Sequence, residues 1–113
     1  MMRILLADEA LLPIVGREYI DDDAEGEFVV AGSGEIVYRH PSVGELFANT
    51  SKTTFAECVR AWERYVVDVA PLQDDAAQVR VVEALKRELT AQDALRERSF
   101  WQHILEQAEY GHL

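Results

Sequence analysis

Cysteine, histidine, proline and cationic residues are all scarce in this chain of 113 residues, and each scarcity removes a class of protein. The lone Cys58 cannot close an internal disulfide or supply a multi-thiolate zinc site, so a reducing, cytoplasmic setting is expected. Histidine occurs only as His40, His103 and His112, and none has a second His or a Cys at ligand spacing, which argues against zinc. Eleven Lys and Arg stand against twenty-one Asp and Glu, a formal net charge of -10. That surplus opposes sequence-independent attraction to nucleic acid or anionic lipid, which depends on excess cations. No apolar run approaches the roughly 18 residues of a membrane-spanning helix. The opening Met1 to Ala7, followed by Asp8-Glu9, is too short for a signal peptide. What is present is ordinary for a folded chain: 49% apolar and 28% charged residues, at a length suited to one core and a single domain over 1–113.

The charge is uneven. Residues 1–49 hold ten acids and three bases, for -7, and residues 50–113 hold eleven acids and eight bases, for -3. Five of the six glycines and two of the three prolines also fall in the first part, which reads as short segments and turns. Arg3 to Ala7, Glu27 to Ala31, Glu35 to Arg39 and Glu45 to Ala48 read as strands, the middle two joined as a hairpin through Gly32-Ser33-Gly34. Beyond residue 50 the apolar period becomes helical. A first helix carries Phe55, Cys58, Val59, Trp62, Tyr65, Val66 and Val69 on one face, capped by Ser51 or by a Thr54/Glu57 box and closed by Pro71. A second starts at Asp74 or Asp75 and buries Val79, Val82, Leu85 and Leu89, with Arg80, Lys86 and Arg87 outward. A third is capped by Ser99, buries Phe100, Trp101, Ile104, Leu105 and Ala108, and stops at Gly111. The expectation is an α+β fold: a small antiparallel sheet of about three or four strands in a β-rich segment 1–49, packed with three helices from 50–113.

Candidate chemistry is thin. Asp21-Asp22-Asp23-Ala24-Glu25-Gly26-Glu27 imitates the start of a calcium-binding loop, but Gly32 stands where the bidentate Glu is required and a strand follows instead of a helix. The run reads as a solvated acidic loop or a partner-facing patch. Gly32-Ser33-Gly34 lacks the further Gly or Lys-Ser/Thr of a phosphate loop. Cys58 and both tryptophans, Trp62 and Trp101, fall on apolar helix faces and read as core. With no activated nucleophile, metal set or phosphate cradle, the chain reads as a non-enzyme with no cofactor.

The hairpin Phe28-Val29-Val30-Ala31-Gly32-Ser33-Gly34-Glu35-Ile36-Val37-Tyr38, the segment Leu46-Phe47-Ala48-Asn49-Thr50-Ser51 with Phe55 four residues on, and the closing Phe100-Trp101 helix together resemble the SUKH superfamily of bacterial immunity proteins, in particular its fourth subfamily. The resemblance spans about residues 27–113 and leaves Met1 to Gly26 outside it. It implies a helix-covered sheet without a catalytic centre, which neutralises a cognate polymorphic toxin of nuclease or deaminase type by occluding it. The acidic run Asp21, Asp22, Asp23, Glu25 and Glu27 is the candidate contact patch, suited to the basic cleft of a toxin that acts on nucleic acid. The expected partner is therefore a toxin protein, with neither nucleic acid nor membrane bound directly, and the chain a monomer or weak homodimer. The competing reading is a small adaptor or regulatory subunit that acts through the apolar faces of its last two helices, either alone or as a homodimer.

Overall fold

The computed structural model describes residues 2–110. It is an α+β fold in which five antiparallel strands precede three helices: β1 (Met2–Leu6), β2 (Ile14–Ile20), β3 (Asp23–Val30), β4 (Ile36–His40), β5 (Gly44–Asn49), α1 (Lys52–Val69), α2 (Asp75–Ala91) and α3 (Phe100–Glu109). The strands are ordered in space as in sequence, a meander in which every pairing joins chain neighbours. The strand count exceeds the expectation because β2 is absent from the sequence pattern. Its segment, Ile14-Val15-Gly16-Arg17-Glu18-Tyr19-Ile20, places Gly16 and Glu18 at buried positions where apolar side chains normally mark a strand. Gly16 is small because the Phe55 ring lies about where a side chain would begin, 3.0 Å from an ideal Cβ.

Register assigns the faces. Directly paired residues project to the same side of a sheet, so Gly16, Phe28, Tyr38 and Leu46 form an inner row across β2 to β5. Leu5, Arg17, Glu27, Arg39 and Glu45 form an outer row across all five strands. The outer row alternates in sign from Arg17 onward, and within it Arg39 donates to Glu27 at 2.6 Å. Also on that face, Phe47 lies under the Arg96 guanidinium, 4.1 Å from the ring centroid, so the loop before α3 shields the β5 edge.

The inner row builds the core with α1 and α3. Phe28 is fully buried and touches three aromatic rings: Phe55 at 4.7 Å, Phe100 at 4.9 Å edge-on, and Tyr38 at 5.2 Å. Edge-on and tilted contacts at these separations suit the ring quadrupoles. Two tryptophans tie helices to strands through their indole N–H groups. Trp62 donates to the Met2 carbonyl at 3.1 Å, and Trp101 donates to Asn49 Oδ1 at 2.8 Å. Asn49, itself fully buried, passes the connection on by donating from Nδ2 to Cys58 Sγ at 3.3 Å.

The helix signals correspond closely to the observed starts. Ser51 caps α1 in a reciprocal box with Thr54, whereas Glu57 turns outward to Arg60. Asp74 caps α2, and Ser99 Oγ accepts from the Gln102 N–H at 3.1 Å at the start of α3. The Gln102 side chain pairs forward with Glu106 and does not return to the cap, so that box is half formed. The hairpin connection is longer than three residues: Ala31 and Glu35 close it, and Gly34 takes the left-handed conformation at φ 92°. Val79 departs from the expected stripe. It is 58% exposed, in a shallow recess that it shares with Ala108 and Tyr110. The expected stop at Gly111 lies outside the described residues. No helix among the described residues is long and apolar enough to cross a membrane.

Candidate functional site

At the end formed by the β2–β3 and β4–β5 turns, the inner face is left open as a groove of about 760 Å3. Glu18 and Tyr38 are on its floor, Ile20, Val43 and Leu46 on its sheet side, and residues from Glu97 to Gln107 on its helix side. Ile20 and Val43 are apolar and exposed at 40% and 57%, so the rim offers greasy contact beside charge.

A β-bulge creates the floor. Arg17 pairs with Glu27 but Tyr19 pairs with Ala24, so Glu25 and Gly26 on β3 together oppose Glu18. A bulge of this kind rotates side chains out of simple alternation. Gly26 turns inward under the Tyr38 ring, where an added Cβ would lie 2.3 Å from Cε1. Only glycine permits that approach. The ring so placed is held against Phe100 at 4.7 Å, and its hydroxyl donates to Glu18 Oε1 at 2.6 Å. Glu18 is one of few polar residues in the interior, and removal from water raises its pKa; Glu25 acts in the same direction, while Tyr38, His40 and His103 oppose it. Burial and the adjacent carboxylate likewise raise the Tyr38 hydroxyl, which stays protonated as the donor.

Glu25, the other bulge residue, meets His40. The Ser42 backbone N–H donates to His40 Nδ1 at 3.0 Å, so in the neutral ring the hydrogen sits on Nε2, directed at Glu25 Oε2 3.1 Å away. His40 thus braces the two turns and has a structural partner in Glu25.

The five acids expected to act together are divided by the fold. Asp21 and Asp22 form the β2–β3 turn, with Asp21 at φ 54°, and Asp23 pairs with Ile20 at the groove rim. Glu25 is held by His40 and, with Glu27 and Arg39, lines a second recess apart from the groove. Glu27 belongs to the outer row with Arg39. The run is also no loop, since β3 begins at Asp23. Sequence reasoning missed Glu97 and Glu106, which reach the groove from the helix side, and Glu18, which defines its floor. The signal for Glu18 was an acid at a strand position that should carry an apolar side chain.

Cys58 is fully buried, and burial pushes its thiol up to about 11. Most of the apolar faces assigned to the adaptor reading are buried inside the chain: Leu89 and Trp101 are fully buried, with Leu85 and Leu105 at 1%, while Val79 stays exposed.

Fold and groove together define a class: an α+β protein that presents an acidic recess at the open end of a helix-backed meander. The chain belongs to the SUKH-4 immunity protein family, whose model matches residues 7–107. The match starts well before residue 27, so β2 and the acidic turn lie within the family pattern. No curated protein and no solved structure matches the chain. Family membership makes an immunity protein the role of this chain and a cognate toxin its implied partner.

Proposed function

We propose that the protein acts in the cytoplasm of the toxin-producing cell and occludes a nuclease- or deaminase-type toxin by docking the groove end of its sheet on the toxin's basic substrate cleft. The observation that supports this reading is the set of acids at one end of the sheet: Glu18, Glu97 and Glu106 line the groove, and Asp21, Asp22 and Asp23 make the adjoining β2–β3 turn and the start of β3. An enzyme that handles nucleic acid concentrates positive charge at its cleft, and a complementary surface steers association and excludes the anionic substrate. Glu27, neutralised by Arg39 on the other face, is not part of this surface.

The test is association kinetics with the cognate toxin domain, sought first in the gene adjacent to this one. Charge reversal of the turn, Asp21→Lys with Asp22→Lys and Asp23→Lys, is expected to slow association about tenfold or more at low ionic strength and to flatten its salt dependence. Glu27→Lys should leave both nearly unchanged. A triple variant with unaltered rate and salt slope overturns the docking assignment. Cells killed by the toxin domain despite co-expression of this chain overturn the immunity assignment to that toxin.

A further inference from the structure

The carboxylate on the groove floor is buried without a cation bonded to it among the described residues. Glu18 is 6% exposed, and among the described residues the Tyr38 hydroxyl is its hydrogen-bond donor while no Lys, Arg or His ion-pairs with it. Buried acids are rare unless paired, because one neutral donor does not replace the water that an ionised carboxylate loses. His40 and His103 favour its charge from a distance, but neither bonds to it. His40 is directed at Glu25, and His103 Nε2 accepts from the Gln107 amide at 2.8 Å. Arg98 lines the same groove but forms no ion pair with Glu18. In front of the carboxylate lies open volume sufficient for a whole side chain.

We propose that Glu18 anchors an arginine of the partner toxin, whose guanidinium enters the groove and completes a charge pair that the described residues do not supply. This rests on the toxin-binding reading above. Arginine fits better than lysine: its head is planar, sheds water more readily and presents several N–H groups to the carboxylate in a fixed fork. Its aliphatic stem matches the exposed Ile20 and Val43 at the rim. An arginine in a desolvated pocket surrounded by looser contacts is the usual form of an interface hot spot. The rim acids would then govern the rate of encounter, and Glu18 the lifetime of the complex.

The test uses the full chain, labelled with 15N, and N-acetyl-arginine amide as probe, with the neutral isostere N-acetyl-citrulline amide as control. Saturable shifts at Glu18, Tyr38 and His103 are expected with the arginine probe, at least about tenfold tighter than with citrulline. Glu18→Gln, which keeps an oxygen for the Tyr38 hydroxyl, should abolish the difference. Ile20→Lys, an exposed change that supplies a tethered cation, should abolish it independently of any effect on folding in the first variant. Equal response to both probes, or an unchanged arginine preference in Glu18→Gln, overturns the anchor. Failure of the wild-type chain to protect against the toxin domain under test, with the arginine preference intact, instead overturns the immunity reading alone.

Discussion

Replacement of Asn49 by Ala tests a fully buried amide that links the sheet to two helices. Its amide joins β5 to α3 through Trp101 and to α1 through Cys58, so a single side chain fixes the angle between sheet and helices. In Asn49→Ala the Trp101 indole N–H, on a residue with no exposed surface, loses its acceptor. An orphaned buried donor costs about 1–3 kcal/mol, and the void left by the missing amide adds roughly 1 kcal/mol. The expected loss is therefore about 2–4 kcal/mol, a large share of the ~5–15 kcal/mol typical of a domain. At about 4 °C per kcal/mol for this chain length, Tm should fall by roughly 8–16 °C. Urea unfolding followed by far-UV circular dichroism gives the loss without relying on Trp101 as reporter. A double-mutant cycle with Trp101→Phe, which deletes the donor, should show a coupling of about 1–2 kcal/mol. Losses that simply add, within about 0.3 kcal/mol, would refute the bond as the reason Asn49 is buried.

Gly26→Ala forces the Tyr38 ring off its seat and weakens its bond to Glu18, so a loss of about 2–4 kcal/mol is expected in urea melts, well above the ~1 kcal/mol of an ordinary substitution. An unchanged midpoint would show that the bulge relaxes freely. Glu18→Gln should alter stability in a pH-dependent way. Because burial raises the Glu18 pKa in the folded state, wild type holds a proton there that the unfolded chain releases, and its stability falls as pH rises from the ordinary glutamate value through the raised one. Gln has no such dependence. The advantage of Glu18→Gln over wild type should therefore grow across that window and level off above it; a difference constant between pH 4 and 8 would contradict the burial argument. Cys58, buried and with its thiol raised, should react with a thiol reagent only as fast as the chain opens, and immediate labelling of the native protein would contradict its core position.

The helical half was legible in the sequence because its signals are local. Ser51, Asp74 and Ser99 offer side-chain acceptors to free N–H groups a few residues ahead, and Phe55, Cys58, Trp62 and Tyr65 repeat at helical spacing. The sheet was half legible. β4 and the end of β3 carry apolar alternation, but β2 gives up two inward positions, Gly16 to the Phe55 ring and Glu18 to the groove. The acidic run could be located but not oriented. Whether Glu25 and Glu27 share a face depends on the bulge opposite Glu18, a property of pairing between strands that one segment cannot display. Glu18 drew no notice because a single acid in a short segment has no periodicity. Its meaning arises from Tyr38, twenty positions away in the chain.

The meander has a kinetic consequence. Because each strand pairs with the one before it, the sheet needs only short loops to close, the kind of topology that folds quickly. The contact between Asn49 and Trp101 spans 52 positions, so the sheet can pair early while the core is sealed only when α3 docks. For a protector, this ordering sets a clock: the acidic turn exists as soon as the hairpin closes, whereas Tyr38 is clamped by Phe100, and Glu18 held in place through it, only at the last step. A partly folded chain could thus meet its toxin through long-range attraction before it can hold it, and the docking of one ten-residue helix would turn encounter into capture.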